Sequence, residues 1–125
     1  MLKFLDNYQP QSYALLRITA GFMFLSHGVQ KFFNFPVDFP WPLSPLTTAA
    51  GAIELVAGLL IMIGLFTRPA AFIASGMSAV GYWMSHGTQS FFPIANGGEI
   101  IALYCFIFLF IATKGAGIWS VDKES

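Results

Sequence analysis

The sequence predicts an all-α fold, a four-helix transmembrane bundle built from two tandem helical hairpins. Three observations lead there. Long apolar runs cover most of the chain and are continuous, not alternating, which suits helices and not the strands of a membrane barrel. Charged residues are 10% of the chain, against roughly 25% in soluble domains, too few to coat so small a fold. The octapeptide SHGVQKFF at residues 26–33 returns as SHGTQSFF at residues 85–92, identical at six of eight positions. Each copy closes one apolar run and precedes a second that opens on a glutamate (GAIEL, GGEII) and ends on Thr-Arg or Thr-Lys. A unit used twice fixes the architecture before any local detail.

Residues 1–11 are a short polar lead with Lys3 and Asp6, and Pro10 stands just ahead of the first helix, where its missing N–H does no harm. Ser12 is the expected N-cap. The first span covers 12–33, long enough for a hydrocarbon core of roughly 30 Å. Arg17 and His27 inside it, and the lack of a small-residue cleavage pattern, argue against a signal peptide. Gly21, Phe24, Gly28 and Lys31 share the helix face of Arg17, and its small residues admit a close neighbour. Residues 34–45 form a loop with four prolines, in which Phe35, Phe39 and Trp41 suit a membrane interface. The second span covers 47–66, with Glu54 its only charge, and Thr67-Arg68-Pro69 is a tight connection to the third, 69–86. There Ser75, Ser78, Tyr82 and His86 form a polar stripe. An uncharged aromatic loop leads to the fourth span, 97–113, and to a polar tail in which Trp119 would rest at the interface. A single domain, 1–125, accounts for the whole length.

Lys3, Arg68, Lys114 and Lys123 fall on one side of this topology and only Lys31 near the other. The positive-inside rule therefore expects a multi-pass protein of the inner, cytoplasmic membrane with both termini cytoplasmic. Helices one and three then run the same way, a parallel repeat. Zero net charge gives no indication of nucleic acid, and one cysteine, Cys105, excludes an intrachain disulfide.

At about 1.5 Å per residue, His27 and Glu54 reach nearly the same depth beneath the outer loops. His86 and Glu99 fall in the same outer third, and Gln30 and Gln89 follow their histidines at i+3. Ionisable groups in spans usually face a bundle interior or a watery cavity. Three readings of this set stand side by side: hydrogen-bonded His27–Glu54 and His86–Glu99 pairs that lock the hairpins, an outer-leaflet pocket for a small polar or redox-active ligand, and a metal site. In the pocket His27, His86, Glu54 and Glu99 are the candidates for proton handling, with Gln30, Gln89, Tyr82, Lys31 and Arg17 as ligand-binding candidates. The H-x-x-Q spacing is no metal motif, so no metal is expected. Arg17 lies deeper toward the cytoplasm, where it can snorkel or pair with a carboxylate such as Glu54.

The runs LLRITAGFMFLSHGVQKFF and GAIELVAGLLIMIGLFTRPAA, with the later NGGE, resemble the DoxX family of small four-helix membrane proteins over nearly the whole chain. The matching positions are Arg17, His27, Gln30, Lys31, Glu54 and Arg68. The resemblance implies a membrane component associated with redox systems, including thiosulfate or thiol oxidation feeding quinone, and carries over no catalytic residue. No haem, iron–sulfur or flavin motif is present in the chain. The expectation is thus a redox-associated membrane subunit binding a quinone-like or small sulfur ligand, with quinone the only cofactor. A soluble redox protein is a candidate partner beside the bilayer, and the glycine face of the first span would permit a homo-oligomer. The alternative is a non-catalytic membrane anchor or assembly factor. A small transporter is a third class, disfavoured by size.

Overall fold

A computed structural model describes residues 1–40, 42–87 and 89–122. Trp41, Thr88 and Lys123, which the interface, repeat and charge arguments used, lie outside the described residues. The described residues are all-helical, with no strand. A 3-10 helix, Lys3–Tyr8, runs into α1, Gln9–Phe33; α2 is Pro45–Ile63, α3 is Thr67–Ser85, α4 is a single turn, Pro93–Asn96, and α5 is Glu99–Lys114. Helix α1 begins ahead of the expected Ser12 cap because Pro10 sits inside its first turn, where it is tolerated.

Local chemistry sets the boundaries. Asn34 adopts a left-handed conformation and its N–H returns to the Gln30 carbonyl at 3.0 Å, ending α1. Ser44 and Thr47 form a reciprocal capping box: the Ser44 hydroxyl accepts from the Thr47 N–H at 3.2 Å, and the Thr47 hydroxyl accepts from the Ser44 N–H at 2.7 Å. Gly64, at φ 73°, closes α2.

Helix α1 packs mainly on α2 and α3 on α5, while α2 meets α3. The α1–α2 seam is backbone against backbone. A Cβ on Gly58 would lie 2.6 Å from the Leu25 nitrogen, and one on Gly21 2.7 Å from the Met62 nitrogen. The glycine face of α1 is therefore occupied within the chain by α2. Between α1 and α5 the contact is made by rings, with Phe24 4.9 Å from Phe108 and 5.6 Å from Tyr104. The polar stripe of α3 faces α5, where the Ser75 hydroxyl donates to the Cys105 carbonyl at 2.7 Å.

Polarity runs inside out. Phe22, Val56, Phe72 and Phe106, one on each long helix, are more than half exposed, whereas Arg17 and Ser78 are fully buried. By length and composition only α2 among the described residues is apolar enough to cross a membrane unaided. Polar side chains dilute α1 and α3, and the helical part of α5 is 16 residues long.

Candidate functional site

The start of α1 and the segment after α5 lie at one end of the fold, since the Tyr13 hydroxyl on α1 donates to the Gly115 carbonyl just after α5 at 2.5 Å. At this end Arg17 is fully buried and neither snorkels nor meets Glu54. Its guanidinium donates to four backbone carbonyls: Ile61 at the close of α2 (3.0 Å), Ala116, Ile118 (3.0 Å) and Trp119 (2.6 Å). The expected polar tail is thus a strap folded back across the helix ends. It continues with Val121 and Asp122 donating their N–H groups to the Ile63 and Gly64 carbonyls, at 3.1 and 2.7 Å. The Asp122 carboxylate caps α3 from 55 residues away, accepting from the N–H groups of Phe66 (2.9 Å) and Thr67 (3.0 Å). Desolvation pushes its carboxyl up, but those hydrogen bonds and the Arg17 charge outweigh it and hold Asp122 below the usual carboxylate range.

Near the other, loop end, the partner of Glu54 is Lys31. The Lys31 ammonium lies 2.7 Å from a Glu54 oxygen, both side chains being nearly buried, and 5.4 Å from the centre of the Phe39 ring. The α1–α2 seam forces this meeting, because Gly28 brings the α1 backbone onto Gly51 and Leu55 and leaves the Lys31 stem against Gly51. His27 points elsewhere. It is exposed, its ring edge-on to Tyr104 at 6.1 Å, and with Ser26, Gln30, Pro36 and Val37 it lines a depression of about 170 Å³. The Gln30 amide donates to the Asp38 carbonyl at 3.2 Å. Tyr104 is 5% exposed and its hydroxyl has no hydrogen-bond partner among the described residues.

In the second hairpin His86 Nδ1 meets the Asn96 carbonyl at 2.9 Å, not Glu99. Buried Asn96 organises the loop: its amide donates to the Tyr82 hydroxyl (2.9 Å) and the Ser90 carbonyl (3.1 Å), and its side-chain oxygen accepts from Gly98 N–H (2.8 Å). The Gln89 amide donates to the Ser85 carbonyl at 2.9 Å. Glu99 is exposed at the first turn of α5 and makes no ion pair among the described residues. Between α3 and α5 a cleft of about 800 Å³ is walled by Tyr82, Trp83, Phe91, Phe106, Ser90 and Cys105, among others.

The structure therefore brings Lys31 to Glu54, and His27 to Gln30 and Tyr104, while the histidine–glutamate pairs are not formed. Among the described residues no group of three or more His, Cys, Asp or Glu could hold a metal ion. Sequence reasoning passed over Tyr104 and Asn96. An asparagine ahead of Gly-Gly is a turn signal that could have marked Asn96, whereas Tyr104 sits in an apolar run with nothing to set it apart.

Comparison with known proteins adds the following. The family model for DoxX matches residues 12–87. A Haemophilus influenzae protein carrying only the name uncharacterized protein is 41% identical, with 96% of this chain and 95% of that one covered. A Mycobacterium tuberculosis protein named as an uncharacterized membrane protein is 26% identical over 92% of this chain and 82% of its own. No solved structure matches.

Proposed function

Starting from the fact that this chain belongs to the DoxX family and is a membrane protein, we propose that it is a multi-pass subunit of a redox system in the cytoplasmic membrane, binding a quinone-like ring where α1 and α5 meet. Four long helices in two tandem hairpins cross the bilayer, with both termini and the Arg68 turn cytoplasmic. The apolar exterior of every long helix supports this, as does the placement of Lys3, Arg68 and Lys114 at the terminal end.

The observation that carries the ring-binding reading is the Tyr104 hydroxyl, buried beside His27 without a partner among the described residues. A lone buried donor costs about 1–3 kcal/mol, and such a group in a native fold calls for an explanation. A ring carbonyl entering from the His27 depression would accept that hydrogen bond, and His27 would exchange the proton with the outer surface. Electrons would come from a partner protein, since the chain has no redox-centre motif of its own.

The test is titration of a short-chain benzoquinone into the purified protein in lipid nanodiscs, read by calorimetry. Tyr104→Phe should weaken binding by about tenfold, the worth of one hydrogen bond, and His27→Gln should weaken it also. Absence of binding to the wild type, or binding by both variants as tight as the wild type's, overturns the reading. A second reading, an anchor without chemistry, is favoured by a specific observation: Arg17, Lys31 and Glu54 are all bonded within the fold. Under that reading Glu54→Gln lowers stability and partner recruitment, and no quinone binds.

A further inference from the structure

We infer that the cleft between α3 and α5 is a binding site for a lipophilic cation, a molecule with an apolar body and a positively charged head. The inference is independent of the ring proposed at Tyr104, which lies on a different face of α5 from Phe106. At about 800 Å³ the cleft falls within the roughly 300–1,000 Å³ typical of ligand sites. Tyr82, Trp83, Phe91 and Phe106 supply aromatic walls, and among the described residues no lysine, arginine or histidine lines it. Trp83 and Phe106 are both more than half exposed, so the cleft opens toward the surrounding lipid.

Charge and an internal precedent decide the class of occupant. Ala102 and Phe106, which line the cleft, follow Glu99 at i+3 and i+7, so the carboxylate stands on the same helix face one turn nearer the loop end. In the first hairpin a carboxylate in the middle of α2, Glu54, holds the Lys31 ammonium at 2.7 Å, and that ammonium also lies over the Phe39 ring. The octapeptide repeat aligns Lys31 with Ser90. Ser90 lines the cleft, and Glu99 is left without a cation among the described residues. The second hairpin thus has a carboxylate one turn from aromatic walls and no ammonium beside them among the described residues, and a cationic head arriving from outside would supply one. Ring faces attract such a head, most strongly where water is excluded. An anion of the same shape would be repelled by Glu99.

The full chain in nanodiscs is titrated with tetraphenylphosphonium and, separately, with its anionic counterpart of the same shape, tetraphenylborate. Quenching of tryptophan fluorescence reports binding, and empty nanodiscs correct for partition into lipid. The wild type should bind the cation and not the anion. Glu99→Gln should weaken cation binding by about threefold to fivefold, the upper range of an exposed charge contact. Ser90→Lys, which installs a tethered ammonium, should block it, with melting curves verifying that both variants fold. Equal binding of cation and anion, or full cation binding by folded Glu99→Gln, overturns the inference.

Discussion

Replacing Arg17 by methionine removes four hydrogen bonds to carbonyls from a fully buried guanidinium. Hydrogen bonds from a charged group are worth about 1.5–3 kcal/mol each, so the gross loss is about 6–12 kcal/mol. Returning the charge to water on unfolding is favourable by several kcal/mol, and methionine retains part of the packing, so the net cost is about 3–5 kcal/mol, the range seen when a buried charged network is broken. For a chain of this size that lowers the melting temperature by about 10–20 °C. The assay is thermal unfolding in detergent followed by circular dichroism, alongside hydrogen exchange at Val121 and Asp122, whose amides bond to α2 only while the strap is seated. Arg17→Lys is the discriminating variant. A snorkelling arginine tolerates lysine, whereas a planar fork serving carbonyls on two segments cannot be replaced by a single ammonium. Arg17→Lys should therefore lose most of the same stability and expose the same two amides. Wild-type melting and exchange in Arg17→Lys would refute the strap.

The remaining predictions concern the seam, the ion pair and the cap. Gly58→Ala pushes a Cβ to 2.6 Å from backbone nitrogen and should cost about 1–3 kcal/mol or more. Gly76→Ala, with nothing within 4 Å, should gain up to about 1 kcal/mol; melting curves of the two variants compare them directly. Lys31→Met leaves Glu54 buried and alone and should destabilise by about 3 kcal/mol. The Lys31→Met/Glu54→Gln double variant should recover much of that, a coupling that a double-mutant cycle measures. Asp122 is held below its ordinary value, so its contribution is complete above the unfolded carboxylate value of about 3.9 and disappears as pH falls through the lower folded value. Stability should be level from pH 7 to 5 on this account and decline below about 4, and the decline should shrink in Asp122→Asn.

Much of the fold could be read in the chain because helix formation and lipid exposure are local matters. The Gly21/Gly28 face and the Ser75/Ser78 stripe both follow from a period of 3.6 residues, and both lie in the packed interior where that period placed them. The candidate site was less legible. Rise per residue gives the depth of a side chain but not its direction around the bundle, so His27 and Glu54 could be set at one level without meeting. Lys31, one turn beyond His27, took the carboxylate because close glycine contact rotates that face of α1 onto α2.

From its sequence alone this protein was bound to be helical and poor in charge, with one octapeptide written twice, since composition and spacing determine those properties segment by segment. Only the tertiary structure decided the partners: Arg17 with the strap, Asp122 with the start of α3, His86 with Asn96, and Glu54 with Lys31 while Glu99 stands alone. Most of those pairings join groups far apart in the chain, and they depend on how helices turn and slide against one another. That is set by the packing of the whole fold and leaves no local pattern in the sequence.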